Sequence, residues 1–117
     1  MKVAYIAGPY QPSNGKTVLE NIRHAEKYAI KYWRLGYAVI CPHKNTAHFD
    51  GLCPDEIWLK GDLEILKRCD VIVMIPGSEN SSGACAELDL ALESGIQVIY
   101  EDQIYETRKA DRGWYAK

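Results

Sequence analysis

Apolar and polar positions in this chain repeat with two periods in turn. Residues 2–7 (KVAYIA) are a short run of β-branched, aromatic and small residues stopped by Gly8-Pro9, which predicts a buried strand. Over residues 17–35 the apolar positions fall at Val18, Ile22, Ala25, Ala29 and Tyr32, the spacing of a helix laid on a core, and Gly36 closes it. Residues 37–40 (YAVI) predict a second short strand stopped by Pro42, with a loop from 41 to about 54. Asp55 is placed to cap a helix running to about residue 68, with Leu59, Leu63 and Leu66 as its inward stripe. Residues 70–75 (DVIVMI) give the clearest strand and end in the turn-rich stretch PGSENSSG. A helix over about 83–94, with Leu88, Ala91 and Leu92 inward, leads through Gly95 to a strand at 96–100, and the tail after 101 has room for one more helix.

Strands alternating with helices specify an α/β fold with a parallel sheet and right-handed crossovers. The expected architecture is a Rossmann-like, three-layer sandwich with a sheet of four to five strands in flavodoxin-like order, 2-1-3-4 with any fifth strand beyond. In such sheets ligands bind where the carboxyl ends of the strands diverge at the reversal of order. That singles out the loops 8–16 and 76–87.

A length of 117 residues suits a single domain over 1–117, and 47% hydrophobic with 26% charged residues is the composition of a soluble globular chain. A formal charge of −2 leaves no positive field to hold a nucleic-acid backbone. No apolar run approaches the roughly 20 residues of a membrane span, and none gives the apolar core of a secretory leader, so the expected location is the cytoplasm. Cys41, Cys53, Cys69 and Cys85 contain no C-x-x-C and read as reduced, mostly buried thiols.

Candidate chemistry clusters in the two loops. Ser81-Ser82-Gly83 runs into a helix N-terminus, where hydroxyls, a glycine and free N–H groups suit one phosphate; a plain serine cap is the simpler reading of the same residues. Glu87, placed in the first turn where the helix dipole favours ionisation, can serve as a nucleophile towards an oxocarbenium-like sugar carbon or merely serve the dipole. Asp62 could be the second carboxylate of an acid/base pair or a solvated residue beside Lys60. Tyr5 is a core tyrosine by default, yet its hydroxyl could orient Glu87; Tyr10 is the candidate for stacking on a base. His43, Asn45 and Asp50 could hydrogen-bond a base or sugar, with Trp58 and Phe49 as apolar walls, while His24 reads as exposed. The spacing of Cys41, His43, His48 and Cys53 matches no common zinc pattern, so no metal is expected.

The segments A-Y-I-A-G-P-Y, D-L-E-I-L-K-R-C-D-V-I-V and S-S-G-A-C-A-E-L, in this order, resemble the nucleoside 2-deoxyribosyltransferase superfamily over residues 3–100, especially its small bacterial and phage branch. The resemblance implies a Rossmann-like enzyme without metal or organic cofactor that cleaves or exchanges the N-glycosidic bond of 2′-deoxynucleosides or their 5′-monophosphates, as a homodimer or larger homo-oligomer. It makes Glu87 the nucleophile, Asp62 the carboxyl that helps protonate the departing base and Tyr5 the residue that positions Glu87. Substrate binding falls to Gly8, Pro9 and Tyr10 of the first loop, His43 and Asn45, and Ser81, Ser82 and Gly83. Ser81 stands where the monophosphate hydrolases carry serine and the transferases aspartate. Those hydrolases also carry a first-loop arginine; here Tyr10 and Gln11 occupy that loop and Lys16 is its available charge. Two other readings stay open: a nucleotide-binding or sensor module without chemistry, and a phosphoribohydrolase of the cytokinin-activating type, whose P-G-G-x-G-T pattern Pro76-Gly77-Ser78-Glu79 leaves at the second glycine.

Overall fold

The structure, a computed structural model, describes residues 1–12 and 15–101. The expected helix in the tail lies outside the described residues.

Four parallel strands, β1 (Val3–Ala7), β2 (Ala38–Ile40), β3 (Val71–Met74) and β4 (Gln97–Tyr100), form one sheet in the order β2-β1-β3-β4. The register sets Tyr5 opposite Ile72 on one side and Ile40 on the other. The reversal of order between β1 and β3 falls where the pattern places it. Helix α1 (Val18–Arg34) covers one face, with Ala25, Ala29 and Tyr32 packed on Ala4, Ile6, Val71, Val73 and Ile75. Helices α3 (Asp55–Leu66) and α4 (Ser82–Ser94) lie on the other, where Leu66, Ala84, Leu88 and Ala91 meet Tyr5, Ala7, Ile72 and Met74. Side chains alternate across a strand, so β1 sends Tyr5 to the α3/α4 face and Ala4 and Ile6 to the α1 face. Helix α1 starts in a full capping box: the Thr17 hydroxyl accepts from the Glu20 N–H, and the Glu20 carboxylate accepts from the Thr17 N–H, both at 3.1 Å.

The structure departs from the pattern in four places. The expected loop after β2 contains a single helical turn, α2 (Pro42–Asn45), because Pro42 presets the dihedral angle of a first helical residue. Pro54, without a side-chain cap bond, occupies the position before α3; Asp55 is the first helical residue and acts through the helix dipole. The inward stripe of α3 shrinks to its last turn, since only Leu66 is buried and Leu59 is 51% exposed at the rim of a cavity. All four cysteines are free, but only Cys69 is buried. Among the described residues no helix is long and apolar enough to cross a membrane.

Candidate active site

A cavity of about 420 Å³ opens at the carboxyl ends of β1 and β3, a volume within the range of small-molecule sites. The two loops that frame it are locked together behind it. Gly8 is closely enclosed there: a Cβ would sit 2.5 Å from the side chain of the fully buried Ile75. The buried hydroxyl of Ser78 lies within donating reach of the carbonyls of Ala7, at 3.0 Å, and of Ile75. Asn21 of α1, 2% exposed, donates its side-chain amide to the carbonyls of Tyr10 and Gln11 at 3.0 and 3.1 Å. His43 of α2, 6% exposed, donates Nε2–H to the carbonyl of Pro9 at 2.8 Å. A carbonyl only accepts, so the neutral ring of His43 keeps its proton on Nε2 and its Nδ1, which has no partner, carries a lone pair.

The reactive groups come from the core side. Ala84, Glu87, Leu88 and Ala91 share one face of α4; Ala84 and Glu87 reach the cavity, and there the Tyr5 hydroxyl donates to the Glu87 Oε2. Burial pushes the Glu87 carboxyl up to about 8; the bond from Tyr5 pulls against this, and the negative charge of Asp62 adds to it. Burial alone raises Asp62 to about 6. The phenol of Tyr5 is pushed far above its ordinary value, first by burial and then by Glu87 and Asp62, so it is a permanent donor. The two carboxyls face the same cavity and repel, so the pair titrates in two steps and holds one proton between them. Helix α4 begins at Ser82, so Glu87 is its sixth residue and lies in the second turn rather than the first. Beyond the first turn the helix dipole no longer reaches it, and burial sets its ionisation instead.

Around the mouth, the Tyr10 hydroxyl donates to the Asp50 carboxylate, 2.9 and 3.1 Å from its two oxygens, and the edge of its ring meets His43 at 5.7 Å. Tyr10 is thus tied into the wall rather than standing free to stack. Trp58 lines the cavity with Phe49 tilted against it at 6.0 Å. The Ser81 hydroxyl caps α4 by accepting from the Ala84 N–H at 3.2 Å, and Ser82 and Gly83 line the cavity beside it.

Of the residues singled out by sequence, Tyr5 stands behind Glu87, and Gly8, Pro9, Tyr10, His43, Asp62, Ser81, Ser82, Gly83 and Glu87 border the cavity. Two do not: Lys16 is exposed outside the lining, and Asn45 is exposed on a separate shallow groove beside Trp33 and Lys44, because the turn of α2 that points His43 inward points Asn45 out. His24 is half-buried rather than exposed, with Nε2 2.8 Å from the carbonyl of Pro76. Sequence reasoning missed Asn21, Ser78 and Asp55. Asn21 had a signal, a polar residue on the inward face of an otherwise apolar stripe; Ser78 and Asp55 had none. Among the described residues no three His, Cys, Asp or Glu side chains converge as metal ligands.

No curated protein matches this sequence. Among solved structures the fold is similar to a 2-deoxyribosyltransferase from the psychrotolerant bacterium Bacillus psychrosaccharolyticus, at 24% identity and a TM-score of 0.65, covering 84% of this chain and 70% of that one. It is also similar to a 2-deoxyribosyltransferase from Leishmania mexicana, at 22% identity and a TM-score of 0.56, covering 86% of this chain and 63% of that one. At these identities the likeness is one of fold. In sequence, residues 1–100 match the model of the family described as domain of unknown function DUF4406, and the chain belongs to that family.

Proposed function

We propose that this pocket cleaves or transfers the N-glycosidic bond of a 2′-deoxynucleoside or its 5′-monophosphate, with Glu87 as the nucleophile. The observation that carries the reading is the Tyr5 hydroxyl bonded to a half-buried Glu87, with Asp62 in the same cavity. Double displacement at a sugar carbon needs one carboxylate to attack and one carboxylic acid to protonate the leaving group. Between about pH 6 and 8 the pair carries one charge and one proton, the number that the reaction requires. Burial holds that proton on Glu87 at rest, since its value of about 8 lies above that of about 6 for Asp62; for attack the proton passes to Asp62, and donation from Tyr5 steadies the charge left on Glu87.

Glu87 then attacks C1′, the bond from C1′ to the base nitrogen breaks, and the base departs with the proton of Asp62. Water or a second base opens the glycosyl ester, returning its proton to Asp62 and the charge to Glu87. The fold shared with two 2-deoxyribosyltransferases supports this reading. So does a mouth walled by Trp58, Tyr10 and His43, with the capped start of α4 beside it. Assembly as a homodimer or larger homo-oligomer belongs to the same proposal, and sedimentation is its check.

The test is release of free base from 2′-deoxynucleosides and their 5′-monophosphates, with and without a second base, followed by chromatography. Wild type should turn over, Glu87→Gln should lose at least about a thousandfold, and a covalent deoxyribosyl adduct should appear on wild type alone. Full activity in Glu87→Gln would overturn the assignment. Tight binding of nucleotides recovered uncleaved would favour a sensor module.

A further inference from the structure

Among the described residues, the charged side chains that line the cavity are all acidic. Asp50 and Asp55 at the mouth join Asp62 and Glu87 inside, and no lysine or arginine is among the described lining residues. Lys16, the cation that the first loop offers, is exposed and not among the lining residues. His43 does not compensate: burial holds it below its ordinary value, and its Nδ1 is a lone pair. The walls add two electron-rich aromatic side chains, Tyr10 and Trp58, of the kind that attract cations.

Resting on the glycosidic reading above, we propose that the preferred ligand of this pocket is a nucleoside whose base carries a positive charge, such as an N-alkylated purine, and that a 5′-phosphate weakens binding. A cation on the base meets Asp50, Asp55 and the aromatic side chains. A phosphate brings up to two more negative charges into a cavity lined by acidic side chains, where repulsion acts at short range. The chemistry follows the same direction. When Glu87 attacks C1′ of such a nucleoside, the electron pair of the breaking C1′–N bond neutralises the ring, and the base leaves without needing a proton. The ester is then opened by water, which adds hydroxyl to C1′ and gives a proton to the solvent or to Asp62.

Calorimetric titration of the Glu87→Gln protein at low salt separates binding from turnover. The ligands are 2′-deoxyguanosine, its N7-methyl cation and its 5′-monophosphate, which differ in charge on a common scaffold. The cation should bind at least about tenfold tighter than the neutral nucleoside and the monophosphate at least about tenfold weaker. Both gaps should narrow with added salt and in an Asp50→Asn/Asp55→Asn protein. Equal affinities within threefold, or tightest binding of the monophosphate, would overturn the inference. Turnover of the same ligands by wild type reads the glycosidic proposal separately: no base released from any of them defeats that proposal whatever the order of affinities. Within turnover, Asp62→Asn should slow base release from the neutral nucleoside at least tenfold more than from the cation.

Discussion

Replacing Glu87 by Gln should stabilise the protein at alkaline pH. In the unfolded chain Glu87 titrates near 4.5, whereas in the folded protein it titrates near 8. Between these values the native state holds a proton that the unfolded state has released, so stability falls as pH rises through that window and the loss is complete above about pH 8. At about 1.36 kcal/mol per pH unit the displacement from 4.5 to about 8 corresponds to about 5 kcal/mol, an upper bound because local opening of the pocket offers a cheaper way to hydrate the charge. Gln has nearly the same shape, keeps an oxygen to accept from Tyr5, and has no charge to bury. Urea unfolding at pH 5, 7 and 9, followed by tryptophan fluorescence, compares the two proteins. With a slope of about 1–3 kcal/mol per molar, the wild-type midpoint should fall behind that of Glu87→Gln by at least about 1.5 M at pH 9 if the full displacement applies, and by little at pH 5. Other titrating groups are common to both proteins, so the difference isolates Glu87. Midpoints that move in parallel from pH 5 to 9 would refute the claim that burial holds this carboxyl protonated.

Asp62→Asn removes a negative charge that raises Glu87 in the folded protein, so the loss of stability with rising pH should end at lower pH and be smaller in total; pH-dependent unfolding checks the direction. Gly8→Ala forces a methyl group against Ile75 and should destabilise by about 1–3 kcal/mol in denaturant unfolding. Asn21→Ala leaves the carbonyls of Tyr10 and Gln11 without their buried donor, which should cost about 1–3 kcal/mol and raise KM more than it lowers kcat.

The sheet and its order were legible because each strand is a short run bounded by Gly or Pro and each long helix carries a period that only one face satisfies. Tyr5 and Glu87 could be picked out because a polar hydroxyl stands in the central strand and a carboxylate stands beside the inward Leu88. The ionisation of Glu87 was not legible. Glu87 is the sixth residue of α4, past the reach of the dipole, and its ionisation is set by burial against groups such as Tyr5 and Asp62 from distant segments, which lie beyond a local pattern. The contrast between His43 and Asn45 was hidden for a related reason. Two residues apart on a short turn they face opposite ways, and nothing in a stretch that reads as loop tells which one turns inward. The roles of Asn21 and Ser78 depend on carbonyls contributed by distant segments, which a local pattern does not contain.

Helix α3 carries Trp58, Leu59 and Asp62 to the cavity, yet Leu66 is its one buried residue. The cavity is therefore built half from the core and half from the surface. Substitutions at Tyr5 or Glu87 disturb the packing of the central strand and of α4, and few replacements are tolerated there. Substitutions along the outer turns of α3 remove little buried surface and should lie within about 0.5 kcal/mol of neutral for stability. Selection can thus reshape the wall that meets the ligand while the reacting pair stays fixed. Relatives on this scaffold are expected to diverge in what they accept long before they diverge in how they react.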